Sequence, residues 1–129
     1  MTINLKEDKM EYPKLCESDW RFMTVIWDSE PVSSTALAAL CLEKLGWKKS
    51  TTYTMLKKMA EKGLAKNENT IVTSLVSRDQ VQKNESELFL TQTFAGSLPG
   101  FLAAFLGNRT ITDAEAEELI RLIEDHKGK

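Results

Sequence analysis

The stretch from Lys48 to Lys58 is dense in hydroxyl and ammonium groups: Lys48, Lys49, Ser50, Thr51, Tyr53, Thr54, Lys57 and Lys58. Such a set is suited to non-covalent recognition of a polyanion. Ammonium groups and the backbone N–H groups of a helix start neutralise phosphates and set register, while hydroxyls that reach base edges read sequence. Thr51 and Thr54 stand one helical turn apart and Lys57 continues their line, so these three are the expected base-edge contacts along one groove wall. Lys48, Lys49, Ser50, Tyr53 and Lys58 are the expected phosphate contacts, with Ser33 or Ser34 at the start of another helix as an addition. Taken singly, each lysine is as readily a solvated surface residue, and Tyr53 could equally pack on a neighbouring helix.

Charge along the chain favours the polyanion. The 129 residues carry a net charge of only -2, but between Lys44 and Lys66 seven lysines face Glu61 alone, a local +6. From Ser77 onward six basic residues meet nine acidic ones. A split of this kind is expected where one part of a chain meets nucleic acid and the other does not.

Other chemistries find little support. There is no Ser-x-x-Lys, G-x-S-x-G or glycine-rich phosphate loop, and the single histidine, His126, lies near the C-terminus with no nucleophile beside it, so no enzyme is expected. Cys16 and Cys41 form no C-x-x-C pair, and Glu115, Glu117 and Glu118 scatter over different faces of a helix, so neither a metal site nor a cofactor is expected. Uninterrupted apolar runs such as Phe101 to Leu106 fall far below the roughly 20 residues of a membrane span. The first residues mix Lys6, Glu7, Asp8, Lys9 and Glu11 and read as a loose arm over 1–13 rather than a secretory signal, which points to a cytoplasmic protein.

The elements that must position the basic stretch follow from periodicity and caps. Ser18 is the expected N-cap of a first helix carrying Trp20, Met23, Ile26 and Trp27, which ends near Asp28 to Pro31. Val32 to Thr35 offers a cap for a second helix, with Leu37, Leu40, Cys41 and Leu45 on one stripe and Gly46 as its stop. In a third, from Lys48 to Lys62, Thr52, Met55, Leu56 and Met59 form the buried face, and Gly63 ends it. Leu64 to Lys66 and Thr70 to Val76 read as a two-stranded hairpin turning at 67–69. Three helices and a hairpin outline a winged helix-turn-helix over 14–76, with the outer face of the third helix free for a major groove.

The remainder, 77–129, reads as three helices. Ser77 to Gln80 is a capping box opening the first, with Val81, Leu88 and Phe89 on one side and Phe94 beyond its end. Ser97 and Pro99 open the second, with Phe101, Leu102, Phe105 and Leu106; Thr112 caps the third, with Ala116, Leu119, Ile120 and Ile123. About 50 residues make a marginal core alone. A homodimerisation module is therefore expected, its interface drawn from Leu88, Phe89, Phe101, Leu102, Phe105, Leu119, Ile120 and Ile123. The fold class is mainly α: a winged helix-turn-helix with a small β-hairpin wing, followed by a three-helix dimerisation module.

Several segments, in order, resemble the penicillinase repressor (BlaI/MecI) family. Glu17 to Trp27 is similar to that family's acidic-x-Trp-x-Val-Met-x-x-Leu-Trp opening helix. Trp47, then Thr51-Thr52-Tyr53-Thr54-Met55-Leu56 through Lys62-Gly63-Leu64, is similar to its recognition helix. Leu75-Val76-Ser77, Glu85-Ser86 and Phe94-Ala95-Gly96-Ser97-Leu98 resemble its connection into the dimer module. The resemblance implies a homodimeric repressor on a palindromic operator of β-lactamase or related antibiotic-resistance genes. It also implies a membrane-bound sensor protease as partner, and inactivation by cleavage near Ala104 and Phe105, where Ala104 stands in place of the family's Asn. The wing is shorter than usual and lacks the Arg and Tyr generally found there. The C-terminus lacks the C-x-C pairs of the copper-responsive branch. The alternative reading is a protein-binding dimer of the same fold with weak or lost operator affinity.

Overall fold

A computed structural model describes residues 14–128. The N-terminal arm expected over 1–13 lies outside the described residues. These fall into two compact units that divide between Leu88 and Phe89.

The first unit begins with α1, Glu17–Ser29. Its N-cap is Cys16 rather than the expected Ser18, because Asp19 turns back to accept the Cys16 backbone N–H at 3.2 Å. α2, Ser34–Leu45, is capped by the Ser33 hydroxyl, which accepts from the Ala36 N–H at 3.0 Å, and it closes at Gly46 with φ 71°. α3, Lys49–Glu61, ends just before Gly63, which takes φ 79°. There the Gly63 N–H bonds to the Ala60 carbonyl and the Leu64 N–H to Met59, while the Leu64 side chain enters the core.

The wing is a three-stranded antiparallel sheet in the order β1-β3-β2, where the sequence led us to expect two strands. β1, Val32–Ser33, pairs with β3, Ile71–Ser74, which also pairs with β2, Ala65–Glu68. The turn also lies later than expected. Glu68 pairs with Ile71, so the loop is Asn69–Thr70, both with positive φ, the two-residue geometry that matches strand twist. Thr70 is β-branched and ill-suited to this backbone region; its carbonyl accepts the Ser34 N–H at 2.8 Å, which ties the turn to the start of α2.

One core joins these parts. Phe22, Met23 and Ile26 of α1, Leu37 and Cys41 of α2, Leu56 and Met59 of α3, and Leu64, Val72 and Val76 are all buried together. Each large apolar side chain so buried contributes about 1.5–3 kcal/mol. The tryptophans sit at its margin: Trp47 stacks on Phe22 at 5.8 Å, and Trp20 meets Trp27 edge-on at 5.7 Å.

α4, Arg78–Phe94, opens with the expected reciprocal cap: the Gln80 N–H donates to Ser77 Oγ at 3.1 Å and the Ser77 N–H to Gln80 Oε1 at 2.9 Å. Its first turns belong to the first unit, because Val81 is fully buried in that core. The helix also runs through Phe94, which the sequence suggested lay beyond it.

In the second unit, α5, Leu98–Leu106, and α6, Asp113–Asp125, are capped by Ser97 and Thr112 as expected. Phe89, Phe94, Phe101 and Phe105 form a chain of ring contacts with centroids 5.5 to 5.9 Å apart. Among the described residues from Phe89 onward, none is fully buried.

Candidate nucleic-acid interface

α3 is two-faced. Thr52, Leu56 and Met59 are buried against the core, with Met55 half-buried. The Thr52 hydroxyl faces the Cys41 thiol and meets no conventional hydrogen-bond partner. Burial pushes the Cys41 thiol pKa up, only partly offset by Thr52, so this cysteine stays a neutral core group.

The opposite face carries the residues singled out by type. Lys48, Lys49, Ser50, Thr51, Thr54, Lys57 and Lys58 are all exposed. Tyr53 is half-buried, with the Lys49 ammonium 5.9 Å from its ring centroid. The N-cap of α3, Lys48, makes no side-chain cap, unlike Ser33, Ser97 and Thr112 at other helix starts. The first-turn N–H groups of α3 are thus left for solvent or an anion, beside Lys48 and Lys49. Ser33 and Ser34 are not part of this face: the Ser33 hydroxyl is committed to capping α2, and Ser34 is buried.

An ion cluster that sequence spacing did not reveal lies behind this face. Asp19 of α1, only 1% exposed, receives Lys58 Nζ at 3.3 Å and Lys62 Nζ at 3.0 Å. Burial opposes its charge. Hydrogen bonds from Lys62, the Cys16 backbone N–H and thiol, and Lys58 outweigh that and hold the carboxyl pKa below its ordinary value. Lys58 therefore reaches the outer face already engaged. The partners are 39 and 43 residues apart in sequence, beyond the reach of local patterning.

A second joint fixes the wing to α1. Trp27 Nε1 donates to the Val76 carbonyl at 3.0 Å, and Arg78 lies over the Trp27 ring at 5.4 Å while pairing with Asp28 at 2.6 Å. Trp27, Val76 and Arg78, with Glu30 and Ser74, line a groove of about 380 Å³ whose polar groups are already paired.

Of the expected interface residues, Leu88, in the first unit, is half-buried, as are Phe101 and Leu102 in the second. Phe89, Phe105, Leu119, Ile120 and Ile123 are exposed, and so are Leu98, Ile111 and Leu122, which the stripe reading missed. Leu122 follows Leu119 by three residues, a spacing that could have flagged it. Ala104 and Phe105 are both exposed on α5. No single helix among the described residues is long and apolar enough to cross a membrane.

Three helices, an exposed third helix and a sheet wing, followed by a helical module, define a winged helix-turn-helix protein. The chain belongs to the penicillinase repressor family, whose sequence profile matches residues 15–125. It is similar to a penicillinase repressor of Bacillus licheniformis, at 22% identity over 121 residues covering 91% of this chain and 94% of that protein. The family is one of transcriptional repressors.

Proposed function

We propose that this protein is a homodimeric repressor that reads a palindromic operator in double-stranded DNA with α3. The observation that carries this reading is the unsatisfied outer row of that helix. The side chains of Ser50, Thr51, Thr54 and Lys57 are exposed and make no internal hydrogen bond or ion pair among the described residues, although the helix beneath them is firmly anchored. Thr51, Thr54 and Lys57 meet base edges, while Lys48, Lys49, Ser50, Tyr53 and the uncapped helix start hold phosphates. Lys58 has a share in phosphate binding only to the extent that Asp19 releases it.

The dimer draws its support from the second unit. Phe105, Ile120 and Ile123 are 54%, 58% and 52% exposed, and an apolar surface of this kind on a small module is normally covered. A second copy covers it and doubles the recognition helices to match a two-fold operator. Inactivation proceeds by cleavage near Ala104 and Phe105 by a membrane-bound sensor protease, which would detach α6 from the rest of the chain.

The test is a fluorescence anisotropy titration on duplex DNA from the gene's own upstream region, beside a scrambled duplex, at two salt concentrations. Tighter, salt-sensitive binding to the native duplex is expected. Equal binding without salt dependence on either duplex would instead favour a dimer of the same fold that binds protein partners.

A further inference from the structure

The seven lysines between Lys44 and Lys66 look alike in sequence but differ in what they are free to touch. Lys66 is paired with Glu68 at 2.9 Å on the wing. Lys58 and Lys62 are one helical turn apart on the same side of α3, and both turn back toward α1. Each ammonium takes one oxygen of a single carboxylate: Lys58 Nζ is 3.3 Å from Asp19 Oδ1, and Lys62 Nζ is 3.0 Å from Oδ2. The Cys16 N–H adds a third bond to Oδ2 at 3.2 Å.

A carboxylate this deeply buried is stable as an anion only while its oxygens remain satisfied, so it holds both ammonium groups toward α1. Lys62 is only 19% exposed in this arrangement. Lys58 keeps an exposed stem, but its charged end points to Asp19. By contrast, Lys48, Lys49 and Lys57 make no ion pair among the described residues.

We infer that Asp19 is a positioning residue for DNA binding: it clamps the C-terminal half of α3 to α1 through Lys58 and Lys62 and withdraws both lysines from phosphate contact. Lys48 and Lys49, at the start of α3, are then the ammonium groups that neutralise phosphates. Two ammonium groups on one carboxylate leave the cluster with a single positive charge, which attracts a polyanion at a distance without docking to it. The clamp sits at the end of α3 away from the uncapped helix start, so the groove-reading half is held from behind. This inference rests on the DNA-binding reading above.

The experiment uses the full chain and mixed-sequence duplex DNA, with affinity measured by anisotropy across a salt series. Each phosphate neutralised contributes about 0.9 to the slope of log affinity against log salt. Lys49→Ala is expected to flatten the slope by about that amount per protomer. Lys58→Ala should leave it unchanged, and Asp19→Asn should steepen it by freeing both lysines. An Asp19 that merely stabilised the fold would lower the melting temperature in the Asn variant without moving the slope. Should Asp19→Asn fail to fold, the contrast between Lys49→Ala and Lys58→Ala decides alone. Equal flattening by both lysine variants, or an unmoved slope in a folded Asp19→Asn, overturns the role of Asp19. A wild-type protein with no salt slope overturns the DNA-binding reading, and this role with it.

Discussion

The Glu30 carboxylate accepts two hydrogen bonds from Ser74, one from its backbone N–H at 2.7 Å and one from its hydroxyl at 2.9 Å. Glu30 is the C-cap of α1 and Ser74 the last residue of β3, so a single side chain fastens the wing to the end of the first helix. Glu30→Ala should lower stability by about 1 kcal/mol, toward the low end for a lost charged acceptor because Ser74 is only half-buried. Urea unfolding should show a lower midpoint with an unchanged slope, and Glu30→Gln should recover much of the loss. An unaltered midpoint in the Ala variant would show that the wing does not depend on this bond.

Asp19 should make stability fall in acid. Its folded pKa lies below the ordinary value of 3.8, so its ionised form adds stability that is fully present above the carboxylate range and is lost as the pH falls through the folded value. The gap in urea midpoint between wild type and Asp19→Asn should therefore be constant near neutrality and close below roughly pH 4. A gap that stayed the same at every pH would mean that the Asn variant is destabilised by packing rather than by lost charge.

Base reading and phosphate binding should separate by mutation. Thr51→Ala or Thr54→Ala should weaken operator binding by about 1 kcal/mol, close to fivefold to tenfold, and leave the salt slope as it was. Binding to a scrambled duplex should barely change. Identical losses on both duplexes would remove these two hydroxyls from the set that reads sequence.

The second unit should come apart when its apolar surface is charged. Leu119→Glu or Ile123→Glu should raise the dimer dissociation constant by roughly tenfold or more, the equivalent of losing one large buried side chain. Sedimentation over a concentration series reads this directly. A dimer that persisted in both variants at low concentration would place the interface elsewhere.

Much of this architecture is legible in the sequence where local chemistry dictates it. Ser33, Ser77 with Gln80, Ser97 and Thr112 all cap the helices they precede, because a cap needs only a side-chain oxygen within a turn of a free N–H. The outer face of α3 is likewise a matter of helical period. What is not legible depends on distant partners. β1 is two residues long, too short for any alternation, and exists because Val72 and Ile71 pair with it. Asp19 reads as an ordinary first-turn acid suited to the helix dipole, and only tertiary packing brings Lys58 and Lys62 to it. Phe94 extends α4 by a turn that carries no cap signal of its own, and it is held by Phe89 and Phe101.

The bond from the Ser34 N–H to the Thr70 carbonyl, together with the pairing of Val32 and Val72, leaves the wing no independent existence. Its hairpin takes shape when the chain folds, not when it meets a duplex. On the proposed reading, wing and recognition helix arrive at DNA as one stiff piece. Docking should then be close to rigid-body, and its heat capacity change should reflect the surfaces brought together, without the larger contribution that folding on contact would add.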